Sequence, residues 1–293
     1  MTSSTAATLT IGGDLTFGRV GFGAMQLTGK QVWGEYPDHD GGIGLLRAVV
    51  DAGVTFIDTA DVYGPHSNEL LIREALHPYP EELVIATKGG FVRGGYDYST
   101  LDAVGNANYL RQSAHLSARR LGVGSIDLYY LHSGQATDAP FEEQVATLAA
   151  LKEEGLIRHI GLSNVTVAQF ELARTITPIA AVTALYNVGN RRGADLLRAA
   201  GAAGAVFSPW HPVSIQDGGD PERIAAALIP IAQKHDATVH QIALAWLLHR
   251  AGNTLPIPGT TSIDHLASNL RAAAIRLTED EVNAITALVP EAA

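Results

Sequence analysis

The chain has 293 residues, 46% of them apolar and 17% charged, with 30 acids against 20 bases and no cysteine. Such a composition buries a sizeable core and excludes a disordered or fibrous chain, while the missing cysteine excludes disulfides, thiolate metal sites, iron–sulfur clusters and a cysteine nucleophile. The formal charge of −10 argues against electrostatic capture of nucleic acid or an anionic membrane.

The first eight residues carry neither a basic start nor an apolar run of signal-peptide length, and no apolar stretch approaches the ~20 residues that span a bilayer. The expectation is a cytoplasmic protein with a small-molecule partner, no nucleic acid and no membrane.

Segment 9–17, with Gly12-Gly13-Asp14 at its middle, reads as a small hairpin able to plug one end of a fold. From there short β-branched runs alternate with amphipathic stretches. The predicted strands are 20–24, 55–59, 83–88, 126–132, 159–163, 181–186, 205–209 and 254–258. Between and after them lie predicted helices at 44–52, 68–75, 109–121, 141–154, 167–174, 194–202, 221–235 and 240–250, and an extra helix at 279–289. Glu142, Glu143, Glu171 and Glu222 fall in first turns, where carboxylates suit the helix dipole, and Gly53, Gly122 and Gly155 follow last turns. Eight βα units without a linker favour one domain over 1–293: an α/β fold with a closed eight-stranded β/α (TIM) barrel.

In such a barrel the chemistry gathers at the carboxyl ends of the strands. The second run ends in Asp58-Thr59-Ala60-Asp61-Val62-Tyr63-Gly64, the third in Ala86-Thr87-Lys88-Gly89-Gly90 and the fourth in Asp127-Leu128-Tyr129-Tyr130-Leu131-His132. Asp58, Tyr63, Lys88 and His132 therefore face one mouth. A lysine ending an apolar strand needs a countercharge, which Asp58 supplies, so Lys88 stays cationic. Its charge should lower the Tyr63 pKa from about 10 and make that phenol a proton donor, while His132 orients a carbonyl oxygen. Taken singly, each residue is more often a surface lysine or a satisfied core tyrosine or histidine; their convergence on three adjacent strand ends favours carbonyl reduction.

Hydride must then come from a bound nicotinamide or flavin, since no metal-ligand cluster is present in the sequence. Gly21-Phe22-Gly23-Ala24-Met25-Gln26 lacks the third glycine of a dinucleotide fingerprint and is rejected as one.

These motifs resemble the aldo-keto reductase family nearly end to end, from Arg19-Val20-Gly21-Phe22-Gly23-Ala24-Met25 to Asn269-Leu270-Arg271-Ala272-Ala273. The resemblance implies a β/α barrel, reduction of aldehydes or ketones, and a catalytic tetrad of Asp58, Tyr63, Lys88 and His132. It implies NADPH as cofactor, held by Gly23, Ala24, Met25 and Asp58, with Ser163 and Asn164 on the nicotinamide carboxamide. Phe207, Ser208 and Pro209 match the motif whose aromatic stacks on nicotinamide, and Trp210 through Val213 the segment along the pyrophosphate. Gly259, Thr260, Thr261, Ser262, His265 and Asn269 match the adenosine side.

Two positions depart from the family pattern. Thr183 stands where a glutamine usually meets the carboxamide, and Gly259 and His265 where many relatives place lysine and arginine on the 2′-phosphate. The expected preference for NADPH is therefore weakened, leaving NADH possible. The substrate pocket is expected to use Trp33, Tyr63, His132 and Trp210, framed by loops 26–40 (Trp33, Tyr36) and 91–106 (Tyr96, Tyr98). Gly23-Ala24-Met25-Gln26-Leu27, Tyr63-Gly64-Pro65-His66 and Leu76-His77-Pro78-Tyr79 look most like a bacterial branch of that family that includes pyridoxal reductases. Two alternatives stay open: a nucleotide-sensing module with little turnover, as some members of that family are, and a Schiff-base lyase or aldolase using Lys88. No apolar stripe exceeds what the barrel helices use, so the oligomeric state is undetermined.

Overall fold

The computed structural model describes residues 8–290. It opens with an antiparallel hairpin, β1 (Thr8–Ile11) and β2 (Leu15–Gly18), in register Ile11 with Leu15. The turn needs left-handed backbone at Gly12 and Gly13, with φ of 59° and 83°. Gly12 also lies so close to His159 that a Cβ would meet its ring. Asp14 at the tip accepts from Arg158 Nε at 2.9 Å and pairs with His159 Nε2 at 2.7 Å. Ile11, Leu15 and Phe17 pack with Phe56, Val84, Leu128, Tyr130, Val206 and Leu255 inside the sheet. The hairpin thus plugs the amino end of the strands, as the sequence predicts.

The main sheet is parallel and seven-stranded: β3 (Phe22–Gly23), β4 (Phe56–Asp58), β5 (Val84–Gly89), β8 (Ile126–Leu131), β9 (Ile157–Ser163), β10 (Ile179–Leu185) and β11 (Val206–Trp210), neighbours in that order. After β5 the chain makes a second hairpin, β6 (Phe91–Arg93) with β7 (Leu101–Ala103), on the side of the strand ends. The sequence predicts a loop over 91–106, and the structure forms this hairpin within it.

Each main strand is followed by a helix: α1 (His39–Asp51), α2 (Ser67–Leu76), α3 (Ala107–Leu121), α4 (Phe141–Glu153), α5 (Val167–Ile176), α6 (Ala194–Ala202) and α7 (Pro221–Lys234). Three more complete the described residues: α8 (Val239–Arg250), α9 (Ile263–Arg271) and α10 (Glu279–Thr286). Thr166, Thr238 and Thr278 begin α5, α8 and α10 with reciprocal capping boxes, which satisfy otherwise orphaned amides. No helix of the described residues is long and apolar enough to cross a membrane.

The expected eighth strand does not form as a ladder. Phe207 N donates to Asn253 O and Leu255 N to Phe207 O, both at 2.9 Å, giving one isolated parallel bridge to β11. On the other side Gly21 N donates to Pro256 O at 3.0 Å. Segment 254–258 therefore touches both edges of the curled sheet. Pro256 and Pro258 have no N–H to donate, which stops the pairing from extending.

Alternation along the strands sorts the core into two layers. Phe56, Val84, Ala86, Leu128, Tyr130, Ala181 and Val206 face inward onto the hairpin. Tyr129, Leu131, Val182 and Phe207 face outward onto the helices, beside the fully buried Trp246 of α8.

Candidate active site

The same alternation builds the site. Asp58 continues the inward row of Phe56, Lys88 that of Val84 and Ala86, and His132 that of Leu128 and Tyr130. All three emerge at the carboxyl ends of adjacent strands, and Tyr63 joins them from the turn between β4 and α2. Tyr63 N donates to Ala60 O at 3.1 Å, and Asp61 N to Lys88 O at 3.0 Å, so the turn is tied to the end of β5.

Lys88 is 3% exposed and Asp58 4%. The Lys88 ammonium donates to Asp58 Oδ1 and, at 2.8 Å, to Thr59 O. It lies 5.2 Å from the centroid of the Tyr63 ring and 5.9 Å from that of Tyr130. The rings of Tyr63 and His132 meet edge-on, 6.1 Å apart, and Phe91 also packs edge-on against His132 at 4.7 Å.

Protonation follows from burial and charge. Burial works against the Lys88 ammonium, but Asp58 and Tyr63 outweigh it and its pKa lies above the usual value. Burial, reinforced by Lys88, holds His132 well below the usual histidine range, so its imidazole is neutral. For Tyr63 the sequence expectation is corrected. Burial dominates, Lys88 pulls the other way and Asp58 partly cancels Lys88, so the phenol is pushed up to about 12 rather than lowered.

The four residues stand at a cavity of about 520 Å³, within the usual size range of small-molecule sites. Of the predicted cofactor residues, Gly23, Met25, Asp58, Ser163, Asn164, Thr183, Trp210, Val213 and Gly259 line it. Thr183 is 1% exposed, and its Oγ1 has no hydrogen-bond partner. A buried hydroxyl left open at a cavity wall fits a ligand carrying an amide, as a nicotinamide does.

The other predicted residues do not line the cavity. Phe207 faces the helices, edge-on to Tyr186 at 5.9 Å, and so is not placed to stack on a ring in the cavity. The inward positions of β11 are Val206, Ser208 and Trp210. Ser208 is buried and donates to Leu255 O at 3.0 Å, leaving Trp210 as the aromatic of that strand at the cavity. Ala24 and Pro209 are buried behind the wall. Thr260 and Ser262 shape the entry to α9: Ser262 N donates to Thr260 Oγ1 at 3.0 Å, and Ser262 caps the helix. Thr261 and His265 are exposed there, and Asn269 is half-buried one turn further on. Trp33 lies behind the rim, with the guanidinium carbon of Arg93 5.3 Å from its ring centroid.

His211 and Pro212, inside the predicted pyrophosphate segment, also line the cavity, whereas sequence reasoning missed other wall residues: Val32, Val62, Phe91, Arg93 and Leu101, and also Ser214 and Ile257. The available signal for Phe91 and Arg93 was Gly89-Gly90 followed by Phe91-Val92-Arg93, a short alternating run directly after the lysine strand. Among the described residues no group of three or more histidines and carboxylates could hold a metal ion.

Comparison with known proteins agrees with this geometry. Residues 19–290 match the model of the Aldo/keto reductase family. An uncharacterized oxidoreductase of Schizosaccharomyces pombe is 41% identical, covering 95% of this chain and 88% of that protein. Pyridoxine 4-dehydrogenase of Escherichia coli is 38% identical, covering 95% and 97%. Among solved structures, a thermostable aldo-keto reductase in complex with the inhibitor epalrestat is 28% identical with a TM-score of 0.84, covering 97% of this chain and 100% of that one. An aldo-keto reductase from Klebsiella pneumoniae in complex with NADPH is 25% identical with a TM-score of 0.79, covering 96% and 94%. The chain belongs to the aldo/keto reductase family of oxidoreductases, with the resemblance running through a bacterial pyridoxine dehydrogenase.

Proposed function

We propose that the protein reduces the carbonyl group of an aldehyde or ketone to an alcohol, using a nicotinamide cofactor bound across the mouth of a single barrel domain spanning 1–293 that segment 254–258 closes. The observation that carries this reading is the buried Lys88–Asp58 pair beside Tyr63 and His132 at one cavity. Bound nicotinamide would supply the hydride to the carbonyl carbon.

The chain's own residues do the rest. Tyr63 donates the proton: a phenol pushed up to about 12 stays protonated in the free protein, yet it is more acidic than the alcohol that an alkoxide becomes. Lys88, held cationic by Asp58, stabilises the phenolate left behind. His132, neutral and in edge-on contact with both Tyr63 and Phe91, has one N–H with which to hold the carbonyl oxygen. Ser163, Asn164 and Thr183 would hold the carboxamide, with Trp210 on the ring and Gly23, Met25, Val213 and Gly259 as the remaining contacts. Thr260, Thr261 and Ser262 at the start of α9, with His265 and Asn269, would receive the adenosine side. NADPH is the favoured cofactor; the aldo-keto reductases from Klebsiella pneumoniae are solved in complex with NADP and with NADPH.

For substrate, the apolar wall of Val32, Val62, Phe91 and Leu101 together with Trp210 suits an aromatic aldehyde, and the resemblance to pyridoxine 4-dehydrogenase favours a pyridoxal-like one. The test is reduced-nicotinamide absorbance with NADPH and NADH in parallel against pyridoxal, nitrobenzaldehyde, a sugar ketone and a steroid ketone. Consumption of NADPH with an aromatic aldehyde is expected. Cofactor binding without turnover on any substrate would overturn the reductase in favour of a nucleotide sensor.

A further inference from the structure

Arg93 belongs to none of the groups assigned so far, yet it joins three separate parts of the mouth. Its Nη1 donates to Gln31 O at 3.1 Å and to Val32 O at 3.3 Å, and its Nη2 to Tyr96 O at 2.8 Å. Its guanidinium carbon lies 5.3 Å from the Trp33 ring centroid and 5.1 Å from that of Tyr98, a cation held between two aromatics. One side chain thus ties β6, the loop that follows it and the turn at 30–33 together.

The turn it grips is strained. Gln31 and Val32 have φ of 63° and 55°, and a β-branched residue in left-handed backbone is a true outlier. Such strain persists only where neighbouring structure over-determines it, and it concentrates at functional sites. Here the carbonyls of both strained residues are the ones Arg93 holds.

The same turn reaches the proton donor. Val32 O also accepts from Gly64 N at 3.2 Å, Gly34 N donates to Gly64 O at 2.9 Å, and Trp33 and Gly64 form a parallel bridge. Gly64 follows Tyr63 directly. Arg93 and Gly64 therefore share one acceptor, and Val32 and Arg93 are themselves part of the wall of the cavity that Trp210 and Val213 also line.

We propose that Arg93 is a positioning residue: it locks the strained 31–32 turn against Gly64, and so fixes both the Tyr63 backbone and the substrate wall. A lysine cannot replace it, because an ammonium lacks the planar fork that meets several carbonyls and stacks between rings. The inference rests on the carbonyl-reductase reading for its kinetic consequence, but not for its structural one.

The experiment compares the full-length wild type with Arg93→Ala and Arg93→Lys by three readouts: amide hydrogen exchange over 29–36 and 62–66, NADPH affinity by fluorescence, and kcat and KM for a short aliphatic aldehyde and nitrobenzaldehyde. In both variants exchange at both segments should accelerate by about tenfold or more, the scale of one lost charged hydrogen bond. The nitrobenzaldehyde KM should rise about tenfold and its kcat fall, with a smaller change for the short aldehyde, while NADPH affinity stays within about twofold. Unchanged exchange at 62–66, or full recovery in Arg93→Lys, overturns the clamp. Faster exchange with unchanged kinetics on a wild type that turns over overturns the positioning role. If the wild type reduces neither aldehyde, the reductase reading fails and exchange alone decides whether Arg93 holds the turn.

Discussion

Lys88 and Asp58, on adjacent strands of the sheet, form an ion pair from which water is almost wholly excluded: their side chains are 4% and 6% exposed. Two charges so placed cost desolvation energy that their mutual attraction repays only with good geometry and further hydrogen bonds. Thr59 O supplies one such bond to the ammonium. The pair then presents a fixed positive charge to the Tyr63 ring, where the proposed reaction leaves negative charge on the phenol oxygen.

Lys88→Met leaves the Asp58 carboxylate buried without a countercharge. Breaking such a pair costs about 3–5 kcal/mol, read by urea unfolding, and reduction should fall with it because the Tyr63 phenolate loses its stabilising cation. The double variant Lys88→Met/Asp58→Asn should recover most of the stability and none of the activity. A single variant within about 0.5 kcal/mol of wild type would contradict the pair's role.

The raised Tyr63 pKa sets the alkaline behaviour. In the free protein burial keeps the phenol protonated up to about 12. The pH profile of kcat/KM for reduction, which reports free-enzyme groups, should therefore show no basic limb from Tyr63 below about pH 9. A limb centred near about pH 8 that vanishes in Tyr63→Phe would show that Lys88 outweighs burial.

How much of this was legible beforehand depended on whether chemistry or burial decided each point. Asp58, Lys88 and His132 could be read because charged or titratable residues ending apolar runs are conspicuous, and period-two alternation then puts them on one face. The same period misplaces Phe207 if motif resemblance alone is followed: one residue along a strand turns a side chain to the other face, and here it is Trp210 that reaches the cavity. The direction of the Tyr63 shift was hidden because the sequence shows the neighbouring lysine but not the depth of the phenol. Hairpin β6–β7 was masked by glycines that read as loop, and the closing segment by two prolines that read as a strand boundary only once its neighbours are known.

Behind the site, Asp61 is a further buried acid. It is 3% exposed and accepts from Ser113 Oγ at 2.6 Å. Burial first, then the Glu69 carboxylate, raise its pKa from 3.8 to about 7, against a smaller opposing effect of Ser113 and Arg120. Between about pH 4 and pH 7 the folded protein thus keeps a proton that the unfolded chain releases. This contribution to stability is full at the acid end, declines as pH rises through the window and is lost above it. Asp61→Asn should therefore gain on wild type from about pH 5 to pH 8, by on the order of 2 kcal/mol in urea unfolding. A difference independent of pH would place the Asp61 pKa outside the window.

Thr183 offers a test in which stability and binding move apart. Its buried Oγ1 has no partner, so Thr183→Val should leave the ligand-free protein as stable as wild type or more so. If that hydroxyl serves the carboxamide, cofactor affinity should fall by up to about tenfold, one net hydrogen bond. Equal affinity in a stable variant would remove Thr183 from the cofactor site.

The most direct test is a single turnover with cofactor prebound. Wild type and Tyr63→Phe are loaded with NADPH, binding is read by fluorescence, and nitrobenzaldehyde is added while reduced-nicotinamide absorbance is followed. The account predicts equal binding, rapid loss of absorbance in wild type, and a rate lower by about 10² to 10⁴ in Tyr63→Phe, the usual contribution of a general acid. Equal rates in the two proteins would contradict it, and so would a wild type that binds NADPH and never oxidises it.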